Sequence, residues 1–516
     1  MHSQMTGPRS QPPVPQWSRR ILIAAAIGIV FLTLFPFRFS LQTELPANAS
    51  PFLLGVREKN AGTLDNFLNI LLFVPFGFGL AEVIRKWGRS RTAPLALSLV
   101  AGAAASYSVE FLQLYIPGRD SGWLDVFTNT AGSVAGAALF ELCGSVLLRP
   151  LSRIEELLES FLTLQRACWL IVLYLGGWFA ISLPLQIQTR LEHWGPDSFL
   201  VVGNDASGRP GNAWKGQVLR LQLWDRALPD AQVSALTAGK TPGGVSAEPR
   251  AAYTFSGPPP FRDQRQFLPD LSRRTATPAQ ADSTGLVPDA TSWVVSEAPV
   301  AAFAAAVQRT NQFAMRIVCA PAGGIGASGR IVSISRPSGI ADLSLRQENG
   351  NLVFWFRSPL SVKRTSLTWH VADVLATNQV HDILYSYDGS DLSLYVDGKR
   401  IPQMYRLGPG AALAALPRRV KPAELYAYSS VYYALVFFPA GVLLGLAARR
   451  LTRRDRGAWL VLGTNWLLPP WILECLLVWV SGRPVHLEIV ALSLALAAGG
   501  ALWINADGAR KSGSVN

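Results

Sequence analysis

The chain has 516 residues, of which 49% are hydrophobic and only 16% carry a charge. Soluble domains carry about 25% charged residues, and charge here is almost absent from long runs near both ends, which indicates an integral membrane protein. In a membrane protein, an excess of basic residues such as the net charge of +13 is expected in the loops that flank the helices. We therefore expect no nucleic-acid partner. The four cysteines form no Cys-x-x-Cys or Cys/His pattern, so we expect no zinc site.

Eight apolar runs predict helices that cross a membrane. A spanning helix needs about 20 mostly apolar residues, and the sequence offers such runs at 21–38, 64–84, 93–116, 124–147, 168–186, 429–448, 458–480 and 485–505. The first run has no small-residue cleavage site after it, so we expect an uncleaved helix behind a disordered segment, 1–20. Residues 150–166 predict an amphipathic helix on the membrane surface.

Basic residues in the short loops predict the orientation of these helices. Most of them fall in the loops on the same side as the N-terminal segment, for example Arg85, Lys86, Arg449 and Arg450. Because lysine and arginine flank helices on the cytoplasmic side, we expect both chain ends in the cytoplasm of a bacterial cell, with the helices in its inner membrane. Residues 187–428 are then expected in the periplasm or outside the cell.

The middle segment changes to short alternating strands. Runs at 341–345, 352–356, 383–387 and 392–396 alternate apolar and polar residues, and Asn349-Gly350, Asp388-Gly389 and Asp397-Gly398 separate or follow them. Alternation joined by Asn-Gly or Asp-Gly is a strong hairpin signal. Many such strands over a long segment predict an all-β sandwich or jelly roll inserted between membrane helices.

Part of this segment resembles the laminin-G-like, concanavalin A-type jelly roll. The resemblance rests on the hairpin 381–401, and 313–317, 329–335 and 253–257 look like earlier strands of that family. Residues 200–228 look like its closing strands, yet they precede the opening strand. We therefore predict a circular permutation, which domains with neighbouring ends tolerate. A structure with residues 197–240 outside the sandwich would contradict it.

The jelly-roll resemblance implies carbohydrate binding, in some members with calcium. No clear calcium motif is present, and we predict that Asp225, Asp388 and Asp397 serve turns rather than ligands. Four tryptophans are candidates for stacking on sugar, although core packing is the expected role for most of them: Trp194, Trp214, Trp224 and Trp355. Beyond the calcium that the family sometimes uses, we expect no cofactor.

Polar side chains cluster in the helices predicted between residues 61 and 140. The predicted cluster comprises Asp65, Asn66, Asn69, Glu110, Gln113, Arg119, Asp120, Asp125 and Asn129. Steps of three and four place Asp65 with Asn69, Glu110 with Gln113 and Asp125 with Asn129 on shared helix faces. All lie near the same ends of their helices, so we expect them at one depth, near the outer leaflet.

Two interpretations of this cluster remain open. In the structural one, Arg119 pairs with Glu110 or Asp120, while Asp65 and Asp125 cap helix N-termini, where the helix dipole favours a negative charge. In the functional one, the cost of a carboxylate near hydrocarbon marks Glu110 as part of a working site.

The cluster resembles the VanZ-like family, which shows N-x-x-x-F-x-P-x-G, then E-x-x-Q, then R-x…D-x-x-x-N-x-x-G-x-x-x-G. The matching positions are Asp65, Asn69, Phe73, Pro75, Gly77, Glu110, Gln113, Arg119, Asp120, Asp125, Asn129, Gly132 and Gly136. The resemblance covers about the first 150 residues and implies an architecture more firmly than an activity. The family is named after a teicoplanin-resistance protein, which implies a link to glycopeptide resistance.

Together these patterns predict a polytopic α-helical membrane protein with an inserted β domain. The expected parts are a VanZ-like membrane domain (21–148), a surface helix and fifth span (149–186), the jelly roll (187–428), three further spans (429–505) and a cytoplasmic tail (506–516). We expect a binding or scaffold protein of the cell envelope that engages the lipid bilayer and either polysaccharide or lipid-linked glycan, with a possible export role for polysaccharide.

Two alternatives are kept. One is an enzyme acting on a lipid-linked head group, with Glu110 as general base or metal ligand and Arg119 on a phosphate; no histidine lies in residues 61–140 to support it. The other is a transporter, for which an inverted repeat between the two halves is missing.

Overall fold

A computed structural model describes the protein over twelve stretches of the chain. They are residues 17–34, 63–85, 92–116, 121–237, 248–274, 285–323, 326–363, 368–401, 405–416, 425–449, 451–452 and 454–505. These residues form two compact units. The helical unit lies within Met1–Leu175, Ala434–Pro469 and Leu492–Asn516. The β unit lies within Gly176–Tyr433 and Pro470–Ala491.

Long apolar helices account for most of the helical residues. In chain order the described helices are α1 (Trp17–Leu34), α2 (Thr63–Arg85), α3 (Ala93–Gln113), α4 (Trp123–Phe161), α5 (Leu164–Ile187), α6 (Asp230–Thr237), α7 (Ala301–Thr310), α8 (Pro359–Lys363), α9 (Pro409–Ala415), α10 (Leu425–Ala448), α11 (Arg456–Ser481) and α12 (Leu487–Asn505). Among the described residues, eight helices are long and apolar enough to cross a membrane: α1 to α5 and α10 to α12. The predicted number of long apolar helices is confirmed.

The predicted surface helix at 150–166 is not a separate element. Helix α4 continues through Pro150 to Phe161, and α5 begins at Leu164. Within this extension Glu155 is buried, and its carboxylate accepts hydrogen bonds from Arg20 (2.8 Å) and Arg449 (2.8 Å). Residues 150–161 are helical as predicted but continue α4, and the buried Glu155 ties them to α1 and to the end of α10. Their location at the membrane surface stays a prediction.

Close backbone contact between α2 and α4 organises the helical unit. A Cβ atom placed on Gly136 would lie 2.0 Å from the carbonyl oxygen of Val74, and one on Gly132 would lie 2.2 Å from that of Ile70. Small residues at such crossings let two helices approach closely in a membrane. The Gly132-x-x-x-Gly136 spacing therefore brings the polar ends of α2 and α4 within hydrogen-bonding reach.

Two antiparallel sheets form the β unit. The strands are β1 (Phe199–Val202), β2 (Gly216–Trp224), β3 (Ala251–Thr254), β4 (Leu271–Arg274), β5 (Trp293–Ser296), β6 (Phe313–Pro321), β7 (Ser328–Ser335), β8 (Ala341–Glu348), β9 (Asn351–Phe356), β10 (Trp369–Val371), β11 (His381–Tyr387), β12 (Asp391–Val396), β13 (Lys399–Arg400) and β14 (Tyr405–Arg406). The first sheet has the order β10-β9-β8-β7-β1-β5-β4, and the second has the order β13-β12-β11-β6-β2-β3, with β14 beside β12.

The predicted hairpins are confirmed. Strands β8 and β9 pair across Asn349-Gly350, where both residues have positive φ (51° and 84°), and β12 and β13 pair in the same way across Asp397-Gly398 (51° and 77°). Positive φ at both central positions is the reason why this tight turn selects Asn-Gly or Asp-Gly. The longer connection that contains Asp388-Gly389 joins β11 to β12.

Both sheets contribute to one buried core, as in a β-sandwich. Leu343 and Phe354 from the first sheet share a buried cluster with Ile317 and Tyr385 from the second. Strand β1 lies between β5 and β7, and β2 lies between β3 and β6, so the early strands belong to the sheets. Residues 197–240 therefore contribute strands to the sandwich, as a circular permutation requires. The jelly-roll type and the permutation stay predictions.

A single methyl group should test the contact between α2 and α4. We expect Gly136→Ala to destabilise the protein by about 1–3 kcal/mol, because the added Cβ overpacks a backbone contact. Gly28→Ala in α1 is the matched control, since a Cβ added there would meet no other part of the described structure within 4 Å. Thermal unfolding in detergent should show a lower Tm for Gly136→Ala only, and equal Tm values would contradict the packing.

Candidate functional site

The polar side chains of α2, α3 and α4 are the candidate site in the helical unit. Asn66 and Asn69 belong to α2, Glu110 and Gln113 to α3, and Asp125 and Asn129 to α4. Asp65 lies in the first turn of α2, but its side chain lies outside the described part of the structure, as do Arg119 and Asp120 entirely.

A direct hydrogen bond joins two members of the predicted cluster across helices. The side-chain amide of Asn69 donates to Oδ1 of Asp125 at 2.7 Å. Asp125 also lies in the first turn of α4, where the N–H groups favour a negative charge. The structure thus places the Asn69 and Asp125 side chains together, as the shared depth of the two helix ends predicts.

Glu110 is bound to the start of α4. Glu110 is only 3% exposed. Its Oε2 accepts a hydrogen bond from the backbone N–H of Gly122 at 3.1 Å. The hydroxyl of Ser121 donates to the backbone oxygen of Glu110 at 2.8 Å. Glu110 therefore satisfies an N–H at the helix start, a task that the sequence assigned to Asp125. A carboxylate at that position is favoured by the helix dipole.

A second buried bond joins α3 to α4 one turn deeper. The amide of Asn129 donates to the hydroxyl of Ser106 at 2.9 Å, and both residues are buried. Oδ1 of Asn129 is buried without a hydrogen-bond partner among the described residues, and so is Oδ1 of Asn66. Since buried acceptors rarely stay unpaired, these two oxygens mark places where a ligand or water donor would be stabilised.

Gln113 connects the cluster to the first helix. Its amide donates to the backbone oxygen of Thr33 at 3.0 Å, near the end of α1. The partners Thr33, Ser121 and Gly122 were not predicted from the sequence. Two of them act through backbone atoms, which carry no residue-type signal. A signal for Ser106 is present in the sequence, because it lies four residues before Glu110 on one helix face.

The chemistry available in this cluster is hydrogen bonding and charge. Carboxylates, amides and hydroxyls are present, while residues 61–140 contain neither histidine nor cysteine. Catalysis by a nucleophile needs an adjacent base that activates it, and the bonds described above occupy the Glu110 and Asp125 carboxylates with amide donors. The arrangement is suited to holding a polar group within the helices.

The three aspartates that were predicted to serve turns rather than ligands all have structural partners in the β unit. Oδ1 of Asp388 accepts the backbone N–H groups of Ser390 and Asp391, and Asp397 accepts that of Asp382, so both serve turns. Asp225 lies 3.7 Å from Arg250 in an ion pair.

Core packing accounts for three of the four tryptophans that were candidates for stacking on sugar. Trp194, Trp214 and Trp224 are buried, and only Trp355 is partly exposed. Stacking on a sugar ring needs an exposed aromatic face, so these three residues are excluded from such a role.

Loss of the Glu110 acceptor should cost stability, whereas loss of its charge should cost less. Glu110→Ala leaves the buried N–H of Gly122 without this acceptor, a change that costs about 1–3 kcal/mol. Glu110→Gln keeps an oxygen at the same place. We expect Glu110→Ala to lower the Tm clearly more than Glu110→Gln does, and the reverse order would contradict the assigned bond.

Comparison with protein families matches the first part of the chain. Residues 10–144 match the family model described as VanZ/LLP1, and this span includes every member of the predicted polar cluster. No curated protein and no solved structure matches the chain. The protein therefore has a VanZ-like N-terminal part and the apolar helices of a membrane protein, whereas no jelly-roll family is identified for the β unit.

Proposed function

We propose that this protein is a binding or scaffold protein of the bacterial cell envelope. In this proposal the helical unit holds a lipid-linked or other envelope component in the inner membrane, and the β unit engages envelope glycan or lipid head groups outside the cytoplasm. The VanZ-like match to residues 10–144 supports the family context, including the link to glycopeptide resistance that the family's name implies.

One observation carries the binding role. The polar side chains of α2 to α4 are held by one another, as in the bonds from Asn69 to Asp125 and from Asn129 to Ser106. Such fixed partners orient the remaining buried acceptors, and orientation before binding lowers the cost of recognition. A reactive site would instead need a base poised beside a nucleophile, which the described cluster does not offer.

Binding by the full-length protein tests the proposal. Protein in detergent micelles would be immobilised and exposed separately to polysaccharide released from bacterial envelopes, to a polyprenyl-phosphate-linked oligosaccharide and to extracted phospholipids. We expect saturable binding of at least one of the three probes. Folded protein, verified by thermal unfolding, that binds none of them would overturn the proposal.

A substitution distinguishes the binding role from an enzyme. Glu110→Gln keeps the acceptor for the Gly122 N–H and removes the negative charge, so it would abolish general-base catalysis. We expect resistance or envelope phenotypes of cells to be preserved by Glu110→Gln at equal protein levels. Asn129→Ala, which removes the buried amide, should weaken ligand binding instead. Loss of the phenotype in Glu110→Gln cells would favour the enzyme.

A further inference from the structure

A charged cleft of about 560 Å³ lies on the outer face of the second sheet of the β unit. On β12, Leu392 and Leu394 point into the shared core, whereas the alternate residues Asp391, Ser393 and Tyr395 line the cleft. The loop before α6 and the turn 482–484 form further walls. Clefts of about 300–1,000 Å³ are typical of small-ligand sites, and neither the sequence motifs nor the VanZ-like match assigns a role to this one.

The turn between α11 and α12 is fixed to the sandwich at the edge of this cleft. The side-chain amide of Asn311 donates to the backbone oxygen of Ser481 at 2.7 Å, and that of Gln312 donates to the oxygen of Gly482 at 2.8 Å. Arg190 donates to the oxygen of Val480 at 2.5 Å. The carbonyl groups at the end of α11 are thereby satisfied by the β unit, and the turn is a rigid wall.

The same turn locates the cleft at a membrane surface. It joins two helices that are each long and apolar enough to cross a bilayer. Trp479, two residues before the end of α11, is 78% exposed, and tryptophan is enriched at the interface between lipid and water. In a bilayer that both helices cross, the cleft opens at the level where lipid head groups lie.

The side chains that line the cleft carry charges of both signs. The acids are Asp230, Asp388 and Asp391, and the bases are Arg400 and Arg483. Three carboxylates against two guanidinium groups leave one negative charge in the lining. A ligand with a cationic group near the carboxylates and an anionic group near a guanidinium therefore fits this lining.

Asp388 is the carboxylate with the weakest compensation. Arg400 lies 2.7 Å from Asp230 and Arg406 lies 2.6 Å from Asp391, whereas Oδ2 of Asp388 lies 3.6 Å from Nε2 of His486. That imidazole is charged only when protonated. Because Oδ1 of Asp388 is engaged by the turn, Oδ2 is the oxygen on which a cationic donor would bind.

An organic cation fits this place better than a metal ion. Asp391, His486 and Glu488 lie close enough together to ligate a metal. However, Arg406 donates to Asp391 at 2.6 Å and to Glu488 at 2.9 Å, so a fixed guanidinium already holds both carboxylates. Burial by itself would raise the pKa of the Asp391 carboxyl, but the hydrogen bonds and charge of Arg406 hold that pKa below its ordinary value.

We propose that this cleft binds the head group of an aminophospholipid, in which a primary ammonium is joined to a phosphodiester. The ammonium donates to Oδ2 of Asp388, and the phosphate lies towards Arg400, a cleft-lining cation whose side chain is 39% exposed. The inference rests on the proposed envelope-binding role and names one ligand for the β unit. A primary ammonium has three donors, which a quaternary ammonium lacks.

Native mass spectrometry of the full-length protein in detergent, titrated with single lipids, tests the inference. We expect dioleoyl-phosphatidylethanolamine to bind at least about tenfold tighter than the phosphatidylcholine analogue, because a charge-assisted hydrogen bond is lost in the latter. Asp388→Asn keeps the turn acceptor and removes the charge, and it should abolish this preference.

Two further variants guard against misfolding. Asp270→Asn is the matched control in the same unit, since Asp270 pairs only loosely with Arg262 at 3.9 Å, and it should leave the preference intact. Ser393→Phe fills the cleft without touching the turn at Asp388, so it should abolish the preference even if Asp388→Asn does not fold.

Three outcomes would overturn the inference. They are equal binding of the two lipids, a preference that survives both Asp388→Asn and Ser393→Phe, and binding of a soluble glucosamine hexamer that displaces the lipid with the same dependence on Asp388. If these occur while the protein still binds envelope polysaccharide or polyprenyl-linked oligosaccharide, only this inference fails. If the folded protein binds no envelope component, the proposed function fails as well.

Discussion

Polar groups inside a membrane must find their partners within the protein, because hydrocarbon offers none. Helices α2 to α4 meet this constraint by pairing their polar side chains across the helix contacts. Asn69 of α2 reaches Asp125 of α4 because Gly132 and Gly136 let α4 lie against the backbone of α2. Asn129 of α4 reaches Ser106 of α3, where Gly102 of α3 lies close to the side chain of Ser133. The hydrogen bonds between the polar residues therefore depend on the close helix contacts that the small residues allow.

The β unit differs from the helical unit in having a large apolar core, with polar groups mostly at its edges. Two sheets close on one buried cluster. On the outer face of the second sheet, Trp224, Ala314 and Leu384 pack with Leu228 and Val233 in a smaller apolar cluster, and polar side chains line the cleft beside it. The turn after α11 is held there by Asn311 and Gln312. In the proposed binding role, this turn gives the β unit a binding surface beside the two apolar helices that it joins.

The features that could be predicted from the sequence are those that depend on residues close together in the chain. The Asn349-Gly350 and Asp397-Gly398 turns were predictable because a two-residue turn requires positive φ at both positions. The eight spans were predictable because crossing a bilayer demands a minimum apolar length. The continuation of α4 was not, since it depends on buried ion pairs from Glu155 to Arg20 and Arg449, which are far apart in the chain.

The sequence by itself determined the presence of eight long apolar helices and a β unit, the hairpins, and the pairing of Asn69 with Asp125 at the ends of α2 and α4. Only the tertiary structure decided that Glu110 holds the N–H of Gly122, that three tryptophans are buried and that a charged cleft meets the turn after α11. The physical reason is range: periodicity and turn chemistry act over a few residues, whereas a buried acceptor or a cleft is made by segments that only folding brings together.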